Sequence, residues 1–110
     1  MIKDQVVRIK LKKQFAEQRP LNYVGKCIAF TDPWLVMDGK CVMLVRSQPD
    51  GVQIDENMTR HIIPRESIES IRVLPDAFDI NALTVTTEGQ QLRLVVEGVQ
   101  DVYIGEMGEG

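Results

Sequence analysis

Aromatic side chains are scarce in this chain: one Trp, two Tyr and three Phe in 110 residues. A core with so few rings is assembled mainly from Val, Ile, Leu and Met, and β-branched residues suit pleated sheets. Histidine is scarcer still. The single one, His61, stands in Arg60-His61-Ile62 and reads as an exposed or satisfied sheet residue rather than a catalytic base. No Gly-rich phosphate loop is present. The acidic pair Asp55-Glu56 has no apolar setting to split its pKa values. An enzyme is therefore not expected. The only two cysteines, Cys27 and Cys41, both lie in apolar runs. Buried reduced thiols are the simplest reading. A disulfide, or a metal site shared with His61, is the rival, and no CxxC or HxxxH spacing supports it. No cofactor is expected.

No apolar run approaches the ~18–20 residues of a membrane span. The opening Met1-Ile2-Lys3-Asp4-Gln5 has no apolar signal region, so a cytoplasmic protein without a membrane partner is expected. A chain of 110 residues suits one domain with a modest core. Its net charge of −3 is unevenly spread. Residues 1–26 carry seven basic groups against two acidic ones, a local +5. Residues 27–75 carry five against seven, and residues 76–110 carry Arg93 alone against seven acids, a local −6. An acidic total does not exclude nucleic acid, because a local basic patch suffices. Lys10, Lys12 and Lys13 are candidates for phosphate attraction; the competing reading is a solvated strand face.

Val7, Ile9 and Leu11 alternate with Arg8, Lys10 and Lys12, which predicts a half-buried strand over 6–12 with a basic outer face. A helical spacing (Val7, Leu11, Phe15) competes, and the strict alternation favours the strand. Residues 13–20 read as a polar connection ended by Pro20. In the run 21–30, the side carrying Gly25, Cys27 and Ala29 is small. A strand with a Gly inside such a face can bend sharply and let its neighbour approach closely. Two apolar runs, 34–37 and 40–46, flank Asp38-Gly39. That dipeptide signals a hairpin, or else marks a bulge in one longer strand.

Residues 47–58 read as a loop with a Pro-Asp-Gly turn. Short strands at 59–63 and 68–74 flank the tight turn Pro64-Arg65-Glu66-Ser67. A connector at 75–81 leads to a hairpin over 82–96 with its turn at Glu88-Gly89, and 99–104 reads as its continuation. Residues 105–110 are expected to fray. The expected division is 1–76 for the first unit and 77–110 for a C-terminal hairpin and tail within the same compact body.

Two places suit recognition. Asp32-Pro33-Trp34 puts the only Trp after a turn, where it is either core or a stacking platform for a base. Arg65, on a tight turn, is either a solvent-exposed partner of a nearby Glu or a contact for phosphate or base.

The order of these elements resembles the Sm/Sm-like family, including its Hfq-type branch. Val7-x-Ile9-x-Leu11 is similar to the family's first strand, and Tyr23–Phe30 to its bent second strand. Asp32-Pro33-Trp34-Leu35-Val36 is similar to its Asp-x-aromatic-Met-Asn loop, with Val36 where the family has Asn. Ile63-Pro64-Arg65-Glu66-Ser67-Ile68 resembles the Hfq-type turn Tyr-Lys-His-Ala-Ile, with Arg65 on the Lys position. The resemblance covers about residues 6–74. It implies an all-β fold: a small, strongly bent five-stranded barrel (Sm-like or SH3-like), here with a C-terminal β-hairpin extension. It also implies a homo-oligomeric ring of five to seven subunits that binds single-stranded RNA, with Trp34 stacking on a base, Asp32 beside it and Arg65 closing the pocket. An assembly module with the same barrel and no nucleic-acid activity is the alternative.

Overall fold

The computed structural model describes residues 2–109. Met1, and Gly110 at the end of the tail expected to fray, lie outside the described residues. The fold is all-β, with nine strands and three short 3-10 turns among the described residues. The strands are β1 (Val6–Leu11), β2 (Leu21–Phe30), β3 (Trp34–Leu44), β4 (Val52–Ile54), β5 (Thr59–Pro64), β6 (Ile68–Val73), β7 (Val85–Glu88), β8 (Gln91–Leu94) and β9 (Val102–Glu106). No helix is long and apolar enough to cross a membrane among the described residues.

Strands β1 to β6 form one antiparallel sheet in the order β4-β3-β2-β1-β6, with β5 also on β3. Strands β4 and β5 take two halves of β3, against Val42–Leu44 and Trp34–Gly39 respectively. Between them the Cys41 N–H donates to the Asp55 carboxylate at 2.9 Å, and the Asp55 N–H donates to the Cys41 carbonyl at 3.1 Å. An acidic side chain thus carries the ladder across the gap. The expectation of a plain loop over 47–58 is corrected here, because β4 lies inside it.

The sheet is forced to curl. Strands β5 and β6 are its opposite edges along β5-β3-β2-β1-β6, which would lie about 19 Å apart if flat at ~4.8 Å per strand. Yet only the 3-10 turn Arg65–Ser67 joins them, and three such residues advance about 6 Å. No ladder joins β5 to β6 among the described residues, so the curled sheet stays open along that seam.

Two local devices permit the curl. Gly25 and Gly39 face each other across β2 and β3. A Cβ on either would collide with the backbone of the other strand, so only hydrogen fits at this crossing. Further along, the register shifts between Cys27 and Ala29, and the Cys27 thiol donates to the Ala29 carbonyl across that bulge at 3.6 Å. The hairpin expected at Asp38-Gly39 is therefore corrected: both residues lie inside the continuous strand β3. Gly39 serves a close approach, not a positive φ.

The sheet buries both faces. Inside the curl, Val7, Ile9, Cys27, Leu35, Met37 and Ile63 form one core. Asp4, at φ +68°, turns the preceding segment back so that Ile2 joins it. On the outer face Val6, Val24, Val42 and Leu44 form a second core with Leu92, Leu94, Val102 and Ile104. Each such side chain contributes about 1.5–3 kcal/mol when fully buried.

The C-terminal strands supply that cover as a three-stranded sheet, β7-β8-β9, rather than a hairpin alone. Gly105 lies against Leu44 and Pro20, where an added Cβ would have to displace the Leu44 side chain. The buried Asn22 amide donates to the Ile104 carbonyl at 2.9 Å, tying β9 to β2. Residues 105–109 do not stand free, which corrects the expected fraying. Gly105 and Glu106 complete β9, the Met107 N–H donates to Gln90 at 2.8 Å, and Glu109 bridges to Lys13 at 3.2 Å.

Candidate nucleic-acid interface

The two stretches singled out for recognition meet at one corner. Strand β2 ends at Phe30, and the chain turns through Thr31-Asp32-Pro33 into Trp34. The Thr31 N–H donates to the Trp34 carbonyl at 2.9 Å, closing the turn. The turn Arg65–Ser67 docks on it. The Arg65 N–H donates to the Pro33 carbonyl at 3.0 Å, and its guanidinium donates to the Thr31 carbonyl at 2.9 Å. The guanidinium carbon also lies 4.0 Å from the centre of the Phe30 ring, a cation–π contact. The ion pair to Asp32 is looser, at 3.7 Å, with the carboxylate in open solvent. Such an exposed pair adds little. Arg65 is thus first a latch between the two turns. Its side chain remains about one-third exposed, so its outer donors face solvent.

Trp34 is 47% exposed and lies opposite Pro64 in the β3–β5 ladder. Val36 lies opposite Ile62, which is 64% exposed. By strand alternation these four side chains share the outer side of the curl, while Leu35 and Ile63 point into the core. The corner therefore presents an exposed apolar strip with a tryptophan at one end.

The three lysines are placed differently from one another. Lys12 is exposed, and its N–H donates to the Ser67 carbonyl at 2.8 Å, two residues along the turn from Arg65. Lys10 is only 7% exposed and its ammonium lies 3.0 Å from Glu69. Lys13 pairs with Glu109. Burial pushes the Glu109 carboxyl up, but the Glu106 N–H and the Lys13 and Lys10 charges outweigh it and hold it below its ordinary value. Of the basic outer face expected for β1, Arg8 is likewise buried, at 6% exposure. Its guanidinium donates to Ser70 at 2.9 Å while its Nε has no partner among the described residues. Burial lowers its pKa, the neighbouring Arg72 charge lowers it further, and Glu69 opposes both.

The structure thus brings Asp32, Trp34 and Arg65 to one corner, ties the Lys12 backbone to the end of the Arg65–Ser67 turn, and directs Lys10 and Lys13 to acidic partners. Sequence reasoning had Pro64 only as part of the Arg65 turn and did not single out Ile62. Their signal was the β5 alternation, in which Ile62 and Pro64 fall on the side away from Ile63.

Other titratable groups offer less. Cys27 and Cys41 are both free thiols. Burial, with Asp55 nearby, pushes the Cys41 thiol up to about 11, the reverse of an activated nucleophile. The His61 ring lies against Tyr23 with centroids 4.8 Å apart, and a ring nitrogen is 2.9 Å from the Thr59 hydroxyl. No group of three or more potential metal ligands occurs among the described residues.

No family model, curated protein or solved structure matches the chain.

Proposed function

We propose that this protein is a ring-forming, Sm-like protein that binds single-stranded RNA, acting in RNA processing or regulation. The observation that carries the reading is the convergence of the Asp32-Pro33-Trp34 turn and the Arg65 turn on one exposed corner, linked by the Arg65 hydrogen bonds. Further support comes from the curled sheet, read as a partly open five-stranded barrel of β6-β1-β2-β3-β5 with the C-terminal sheet on its outer side. Trp34 would stack on a base, worth about 1–3 kcal/mol per base. The free donors of Arg65 and the ammonium of Lys12 would take phosphate, making affinity salt-dependent. With Val36 on the strip in place of an amide side chain, base preference would follow stacking strength rather than hydrogen-bond reading of uracil.

The ring follows from unpaired edges. Strand β5 pairs only with β3, and β6 only with β1, among the described residues. The two free edges differ, so pairing one with the other on the next copy is head-to-tail, the geometry that closes rings.

The test is a titration with short A-rich and U-rich oligonucleotides at two salt concentrations, read by Trp34 fluorescence and by gel mobility. Quenching that weakens with salt is expected. No quenching and no mobility shift at low salt rejects the reading.

A second reading, an assembly module without nucleic-acid activity, is favoured by one observation: Lys10 and Lys13 already have acidic partners, while the Trp34–Ile62 strip is apolar. A stable oligomer that leaves both oligonucleotides unbound selects it.

A further inference from the structure

A cavity of about 550 Å³ opens in the C-terminal part of the molecule, between the connector that follows β6 and the segment that leaves β8. Small-molecule sites span roughly 300–1,000 Å³. This one shares no residue with the Trp34 corner. Its walls include Phe78, Val95, Val96, Thr84, Asp79 and Glu97. Phe78 packs from one side against the outer core, so the ring is held rather than loose. Val95, 36% exposed, is apolar surface left open. Its backbone is fixed, because the Val95 N–H donates to the Thr84 carbonyl at 2.9 Å. The Asp101 carboxylate holds the adjacent Val96 N–H at 3.1 Å.

The polar groups of the wall are of one sign. No Lys, Arg or His lines the cavity. One oxygen of Asp79 accepts from the Asn81 N–H at 2.9 Å, which fixes the side chain and leaves its second oxygen free. Glu97 has no hydrogen-bond or ion-pair partner among the described residues, whereas Glu88, Asp101, Glu106 and Glu109 all have one. Residues 76–110 carry seven acids against Arg93, and Arg93 is held by Glu88 and the Asp101 carbonyl. The local field therefore repels anions and attracts cations. An aromatic face, an apolar wall and two available carboxylates suit one chemistry: a cation carried on a short alkyl body.

We propose that this cavity binds an organic cation, an alkylguanidinium or alkylammonium group, with its alkyl part on Phe78 and Val95 and its charge at Glu97 and Asp79. The group has two possible sources, a free small molecule or an arginine side chain on a peptide.

The test uses full-length ¹⁵N-labelled protein and three probes: butylguanidinium, the uncharged isostere butylurea, and the capped peptide acetyl-Gly-Arg-Gly-amide. Amide shifts are followed through residues 77–84 and 95–97. Butylguanidinium is expected to shift these amides saturably, and Glu97→Gln to weaken it about tenfold, as for loss of a charge-assisted hydrogen bond. Glu97→Lys should abolish the shifts. Glu97 is exposed, so both variants keep the fold, which the unchanged remainder of the spectrum verifies. Shifts from the peptide as well support the side-chain source; shifts from butylguanidinium alone support the free molecule. The proposal is overturned if butylurea binds as well as butylguanidinium, if the Glu97 variants bind like the parent, or if none of these amides moves.

Discussion

At Gly25 a single added methyl would meet the Asp38 carbonyl and the Gly39 Cα on the facing strand. Neither atom can yield without moving β3. Gly25→Ala is expected to cost about 2–4 kcal/mol, as overpacking against backbone does. A urea midpoint lowered in that proportion would show it, and a midpoint within error of the parent would count against this account of the bend. Gly25 was legible as the bending residue, since it stood on a small-residue face. Gly39 was not, because Asp-Gly between apolar runs has a commoner use. What decides between the two is whether another glycine lies directly opposite, and register is a tertiary fact. Cys41 yields a second test at this scale. Its thiol, pushed up to about 11 by burial and by Asp55, stays protonated at neutral pH. Its alkylation rate by iodoacetamide should rise with an inflection near 11, far above the ~8.5 of a free cysteine. Asp55→Asn should move the inflection down. An ordinary inflection in the parent would remove the raised thiol.

Among the elements, the 3-10 turn Met107–Glu109 and β9 do most to change what β1 offers to solvent. The alternation of β1 was read correctly, but its outer side was not. Arg8 and Lys10 have long apolar stems that lie under a second sheet while their charged ends find Ser70 and Glu69. Nothing local to 6–12 announces this, because the covering strand lies some ninety residues away in sequence. β4 escaped notice for a related reason: three residues are too few for a period, and Asp55-Glu56-Asn57 beside it looks like loop. The tail also sets an acid limit. The Glu109 carboxyl titrates below its unfolded value of 4.5. Its contribution is therefore fully present above that value and is lost as pH falls through the lower, folded value. The protection factor of the Glu106 amide, its exchange rate taken against the intrinsic rate at the same pH, should fall on acidification below about pH 4.5, because this amide donates to Glu109 at 3.0 Å. Glu109→Gln should flatten that dependence. An unchanged pH profile in the variant would show that another group governs the tail.

For the whole molecule, β4, β5 and β6 each pair on one side only among the described residues, and β7-β8-β9 cover the part of the outer face that carries Val24, Val42 and Leu44. The proposed ring would use the edges of β5 and β6. Under the proposed reading, light scattering or sedimentation at micromolar concentration should report a closed head-to-tail assembly, of about five to seven chains if the resemblance to the Sm-like family holds. A monomer at that concentration would remove the ring and leave the corner to act alone. Most of the strands were legible in order, from alternation in β1 and β8 and from punctuation at Pro20, Pro33, Pro64 and Pro75. The sandwiching of one sheet between two cores was not, since it depends on which apolar faces meet.

That sandwich has a bearing on how the chain is made. Strand β1 leaves the ribosome first, yet its partner β6 and its cover β9 are translated much later. Until then Val24, Val42 and Leu44 have nothing to lie against, and the nascent chain displays the apolar strand surface that invites misassociation. Contacts that join Lys13 to Glu109 cannot form until both have been synthesised, so the outer core closes late in folding.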